Sequence, residues 1–249
     1  MYPKTGERKI NHKESVLLLL EGLAGKFPEN ESINFLLEND VTLNFVLRDY
    51  IADAFEKLPE EIFFSHLMKL LDGVVFFYKK YERILQSDQR VQVFHEDVNE
   101  IINKNLFSDE KSNKILCSKG CSDCCSQLVT VSKSEVEFLI KSNVEIDLNQ
   151  LRKQYQLTTD NWTQKLTEEE GKCIFLSRAD GSCKVWQDRP ANCRNYFVSG
   201  SNKHCSVFRR NPDLSLAVKS IYADVCISAF YALEGGEISL SDYLYEKFL

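Results

Sequence analysis

Four cysteines fall within nine consecutive residues, Cys117-Ser-Lys-Gly-Cys121-Ser-Asp-Cys124-Cys125. Four more follow at Cys173, Cys183, Cys193 and Cys205, and a ninth, Cys226, stands apart. Thiols this dense need a disulfide framework, a metal or burial to account for them. With 249 residues and 43% hydrophobic composition, the chain can build a core without staples. Near its start, Lys4, Arg8 and Lys9 precede Val16-Leu17-Leu18-Leu19-Leu20, and Glu21 breaks the run. That is too short for an export signal, and far short of the ~20 apolar residues of a membrane span. A cytoplasmic location without a membrane is therefore expected, where disulfides are rare. The odd cysteine count also argues against a closed disulfide framework, and a metal remains.

The spacing has a physical logic. Thiolates must converge within ~2.3 Å of a zinc ion. Cys121-x2-Cys124 is a chelating pair, Cys117 extends it, and Gly120 can adopt the positive φ that wraps a loop around an ion. Adjacent Cys124 and Cys125 point in different directions, so one is expected to ligate while the other packs or serves a second centre. Cys173, Cys183 and Cys193 follow at intervals of ten residues. Pro190 suits the first turn of a helix, which would set Cys193 near a helix N-terminus where the dipole favours thiolate. Arg189 and Arg194 either add positive charge there or pair with surface carboxylates. The candidate metal ligands are thus Cys117, Cys121, Cys124, Cys125, Cys173, Cys183, Cys193 and Cys205. Cys226 lies on an apolar helical face and is expected in the core. His66 and His95 are isolated and read as surface or packing residues, and His204 is the only histidine near the thiols.

Residues 111–210 hold 16 Lys+Arg against 11 Asp+Glu, whereas the rest hold 15 against 26. The cysteine-bearing segment is basic and its flanks acidic. Either the surface charge is simply uneven, or cations near the thiols offset thiolate charge. With no long basic run and a pI of about 5.4, nucleic acid is not an expected partner.

A mainly α fold is expected: an N-terminal helical bundle (1–110), a small cysteine-rich, loop-rich metal-binding unit (111–210), and C-terminal helices (211–249) packing on the rest. Apolar residues recur at helical spacing through Leu43, Val46, Leu47, Ile51 and Phe55, and again from Glu60 to Gln86. Phe63, Phe64, Phe76, Phe77, Tyr78 and Tyr81 read as bundle core. A helix is expected over Val91–Leu106, with Asp109–Lys114 as a connector. Ser132 and Glu135 cap a helix, Leu148–Tyr155 forms a short one, and Thr158–Lys172 reads as loop. Cys173–Leu176 and Cys183–Trp186 form a small hairpin. Helix returns after Pro212 from Leu214 through Ala217 and Val218, ends at Gly235-Gly236, and a last helix starts at Ser239.

The run Cys117-x3-Cys121-x2-Cys124-Cys125, then Cys173, then Cys183-Lys-Val-Trp186 leading to Arg189-Pro190-x2-Cys193-Arg194, resembles the YkgJ-type zinc- or iron-chelating family, also called CxxCxxCC. The likeness covers about residues 115–205 and implies a bound metal, with no settled activity for most members. Flagellin lysine-N-methylases carry a similar block. Resemblance to them implies an iron–sulfur cluster and methyl transfer from S-adenosylmethionine, although no glycine-rich nucleotide loop supports that here. Cys117-x3-Cys121-x2-Cys124 also has the spacing of radical S-adenosylmethionine enzymes, and Gly235-Gly236-Glu237 mimics their GGE element. Only 125 residues follow Cys124, too few for the β/α barrel those enzymes resemble.

All-thiolate ligation suits zinc or an iron–sulfur cluster. Four cysteines in one short loop tilt the balance slightly to the [4Fe–4S] cluster. The function expected is cysteine-ligated metal binding. The alternatives are an iron–sulfur-dependent protein-modifying enzyme, and a helical protein that docks a protein partner around a structural metal site.

Overall fold

The N-terminal helices are α1 (His12–Lys26), α2 (Glu31–Glu38), α3 (Phe45–Lys57), α4 (Glu60–Glu82) and α5 (Ser87–Leu106), and polar side chains cap α2 and α3. The Asn30 side chain accepts from the Ile33 amide and Asn44 from the Leu47 amide, each at 2.9 Å, which satisfies donors the helix cannot. In α4, Glu60 and Glu61 open the first turn and Lys79 and Lys80 close the last, matching the helix dipole. These helices come from a computed structural model that describes residues 12–107, 115, 117, 120–142, 144–198, 205–209 and 217–249. The expected connector at 109–114, together with Leu214 and His204, lies outside the described residues.

Ile33, Leu36, Leu47, Leu67, Leu70 and Val74 are fully buried where α2, α3 and α4 meet. Each such side chain contributes about 1.5–3 kcal/mol. Phe63 is buried and Phe64 and Phe77 pack against this core, but Phe76 lies on the surface. Phe55 is exposed as well. Leu47, Ile51 and Ala54 form the stripe of α3 that meets the core, and Phe55 sits at its edge with its ring 5.2 Å from that of Phe63.

The C-terminal α11 (Ile221–Leu233) completes the bundle. Every residue from Ala223 to Tyr231 is buried, and the helix packs on α3, α4 and α5. A helix with so little polar surface belongs inside a protein, and its buried Asp224 and Ser228 have hydrogen-bond partners in Asn195 and the Asn44 amide. Gly73 permits the close crossing with α4, because a Cβ there would stand 2.8 Å from Val225 Cγ1. At the other end, Gly235 (φ 84°) and Gly236 (φ 112°) turn the chain, and the Gly236 amide donates to the Tyr231 carbonyl at 2.7 Å. Ala217 and Val218, expected as helix, instead form β3 (Ala217–Val218), paired antiparallel with β2 (Phe197–Val198). The helix cannot start earlier because the Ser220 side chain caps it.

A second two-residue ladder joins β1 (Thr130–Val131) to β4 (Ile238–Ser239). Around it lie α6 (Lys133–Ile140), α7 (Leu148–Gln154) and α12 (Leu240–Phe248). Thr158–Lys172, expected as loop, holds α8 (Thr159–Lys165) and α9 (Glu168–Gly171). Thr158 with Asn161, and Thr167 with Glu170, form capping boxes that start both helices, and Trp162 and Leu166 are buried. The hairpin is present in minimal form. Leu176 bridges Cys183, and Gly181 turns with φ 69°.

One buried carboxylate joins the bundle to the cysteine unit. Glu135, in the first turn of α6, is fully buried and closes the expected capping box with Ser132. Its Oε2 accepts from the Ser132 amide at 3.0 Å. Its Oε1 accepts from the Ala191 amide at 2.8 Å and from His95 Nε2 at 3.0 Å. Burial pushes this carboxyl up, but His95 and the Ala191 and Ser132 amides prevail and hold it below the usual carboxylate range. Replacing Glu135 by Ala strands these donors in the interior. The expected cost is about 3–5 kcal/mol in a urea unfolding titration, and a loss under about 1 kcal/mol would show the joint to be incidental.

Candidate metal centre

Every candidate cysteine is a described residue and a free thiol. Gly120 takes the positive φ its position calls for, at 95°, just before Cys121. Cys124 and Cys125 lie in a 3-10 turn, Asp123–Ser126. Trp162 fixes that turn by donating to the Ser126 carbonyl at 2.9 Å, and Arg209 pairs with Asp123 at 2.8 Å. Cys173 is delivered from the other side. Buried Gln150 and Gln154 of α7 both donate to the Lys172 carbonyl, and the Cys173 amide donates to the Cys125 carbonyl at 2.5 Å. Cys117 accepts from the Val198 amide at 3.3 Å, which ties it to β2.

The third approach is the turn ending in α10 (Ala191–Arg194). Pro190 precedes this helix, as its place in the sequence suggests, and Cys193 falls within it. Arg194 is not a surface side chain. It is buried and donates to the carbonyls of Arg189 (2.7 Å) and Gln187, and to Asn99 (3.3 Å) and His95 Nδ1 (3.2 Å). A guanidinium only donates, so His95 accepts at Nδ1 and carries its proton on Nε2, facing Glu135. Behind α10, Asn195 donates to the Ser220 carbonyl (3.1 Å) and to Asp224 (3.0 Å) and accepts from the Ser220 amide (2.9 Å).

Cys117, Cys121, Cys124, Cys125, Cys173, Cys183 and Cys193 line one cavity of about 480 Å³. Both members of the Cys124–Cys125 pair face it. Cys205 is buried outside the lining, yet charges on Cys117, Cys121 and Cys124 act on its thiol. Among the described residues, no three Cys, His, Asp or Glu side chains are gathered closely enough to cage a single metal ion. The sulfurs are spread along a wall rather than closed on a point.

This wall resists ionisation. Burial pushes the Cys117, Cys121, Cys183 and Cys193 thiols up, and pushes Cys173 and Cys205 to about 12. Cys124 is raised mainly by its hydrogen bond with Cys125. Negative charge on Cys124 further raises Cys117, Cys121, Cys173, Cys183, Cys193 and Cys205, so its sulfur sits at the electrostatic centre of the set. Among the described residues, only Arg189 opposes this at several thiols together, lowering Cys117, Cys124, Cys183 and Cys193. Several thiolates could coexist here only beside further positive charge, which is what a bound metal supplies.

Residues 116–211 match the CxxCxxCC family. That family is described as "Putative zinc- or iron-chelating domain". An uncharacterized protein of Methanocaldococcus jannaschii is 33% identical over 94 residues, 37% of this chain and 50% of the relative. The chain thus matches about half the length of that relative. No solved structure matches the chain.

Sequence reading missed what holds the CxxCxxCC segment to the helices. His95 is 6% exposed with both ring nitrogens engaged, and Asn195 and Asp224 clamp α10 to α11. The Ser132–Glu135 pair was a visible signal, although only of a cap. Cys226 is fully buried on α11 against Tyr81, its Sγ 2.8 Å from the Tyr81 hydroxyl, as a core thiol should be.

Two outcomes follow. Cys193→Ser should lose bound metal and loosen the middle segment, whereas Cys226→Ser should keep full metal content; metal analysis of purified protein checks both. Asp224 gives a pH dependence. Burial pushes its carboxyl up to about 6, against the pull of Lys219 and the Asn195 amide. The native state therefore keeps a proton that the unfolded chain releases. Stability from this group is greatest below its ordinary value of 3.8 and falls as pH rises towards 6. Asp224→Asn should flatten that fall and raise neutral stability by up to about 3 kcal/mol, measured by denaturant titration at acidic and neutral pH.

Proposed function

We propose that this protein binds zinc or iron through thiolates drawn from both cysteine stretches, and that its centre is an iron–sulfur cluster. The observation that carries this reading is the single cavity shared by Cys117, Cys121, Cys124, Cys125, Cys173, Cys183 and Cys193. The match of residues 116–211 to a chelating family supports the metal. The spread of the thiols supports the cluster. A lone tetrahedral zinc needs four sulfurs at ~2.3 Å from one point, whereas a cluster takes its thiolates at separate iron corners. When bound, such a group would stabilise thiolates that burial disfavours, and could exchange an electron.

The turn holding Cys124 and Cys125, the Lys172–Cys173 entry and α10 would supply ligands from separate elements, so the centre would also cross-link the fold. Protein purified without oxygen should be coloured and should contain iron with acid-labile sulfide. Colourless protein with stoichiometric zinc would reverse the choice of centre, and protein with neither metal would end the reading.

A further inference from the structure

The thiol cavity is not lined by sulfur alone. Its volume of about 480 Å³ lies in the ~300–1,000 Å³ range of small-molecule pockets. Beyond the sulfurs its walls are of two kinds. Ile102, Phe107, Val185 and Phe197 supply apolar surface, while Asn99, Asn103 and Arg189 supply donors. The Arg189 guanidinium lies 3.9 Å from the centre of the Trp186 ring. Among the described residues no carboxylate pairs with it, although Arg90, Arg194 and Arg209 each have hydrogen-bonded partners. A guanidinium placed over an aromatic ring can still direct its N–H groups to an oxyanion in forked fashion.

We propose that this cavity binds a small molecule with an oxyanion, carboxylate or phosphate, attached to an apolar body. Arg189, braced by Trp186, holds the oxyanion, and the ring-lined wall takes the body over the thiol layer. The inference rests on the metal-binding reading in one respect: the ligand would lie against the centre that those thiols hold.

The test is calorimetric titration of the protein as purified with 2-naphthoate, 2-naphthyl phosphate and the neutral 2-naphthamide, with metal content measured on the same samples. One or both anions should bind roughly 10- to 100-fold more tightly than the amide, and the tighter anion tells carboxylate from phosphate. Arg189→Gln should erase this preference, with some loss of metal because the same cation offsets thiolate charge, and Arg189→Lys should keep part of both. If Arg189→Gln does not fold, a full preference retained in Arg189→Lys would remove the role of the fork. Equal binding of anion and amide, or binding of neither, would overturn the pocket. Loss of metal in Arg189→Gln with the anion preference retained would leave Arg189 a charge partner of the thiolates alone and overturn it equally. An anion preference in metal-free protein would sink the metal reading and leave the pocket standing.

Discussion

The buried carboxylate of Glu135 is the hinge of this architecture. It caps α6, receives the first amide of α10 and accepts a hydrogen bond from His95 on α5. A charge removed from water is tolerated only when every lone pair is used, and here three helices supply the donors. Arg194 extends the same network, gripping His95 and Asn99 on one side and two carbonyls of the Gln187–Arg189 turn on the other. Cys193 is placed by this polar joint together with the apolar packing of Ala191 on the same helix. Polar joints of this kind are directional, so they set the angle of the thiol as well as its position.

The thiol layer itself is electrostatically costly. Burial and mutual repulsion raise the Cys117, Cys121, Cys173, Cys183 and Cys193 thiols, and among the described residues Arg189 is the cation that counters this at several of them. Such a layer gains little stability from its own contacts. Its rigidity must come from outside, and the hydrogen bonds from Trp162, Gln150 and Gln154 supply it on one flank. Asn195 and Asp224 do so on the other, where a raised carboxyl pKa shows that the clamp itself carries a desolvation cost.

Long-range closure comes from the end of the chain. α11 fills the space between α3, α4 and α5, and β4 returns to pair with β1 beside the cysteine turn. Strands of two residues contribute little alone. Their effect here is to fix register between segments more than 100 residues apart, so that the cavity wall is assembled from distant parts of the chain.

Much of this was legible in the residues. Helical periodicity located the N-terminal helices, Gly120 and Pro190 marked their own backbone geometries, and Cys226 declared itself by its apolar neighbours. Local signals work because caps, turns and amphipathic faces depend on residues a few positions apart. They failed where local and tertiary preferences compete: Thr158–Lys172 looks polar yet hides two capped helices around Trp162, and Ala217-Val218 look helical yet pair as a strand. The eight candidate thiols could be named from spacing alone. That seven of them share one cavity, that Glu135 and His95 serve as its brace, and that Arg189 faces it with no carboxylate partner among the described residues were decided only by the tertiary structure. Burial and charge pairing arise between segments whose separation along the chain carries no sign of their contact.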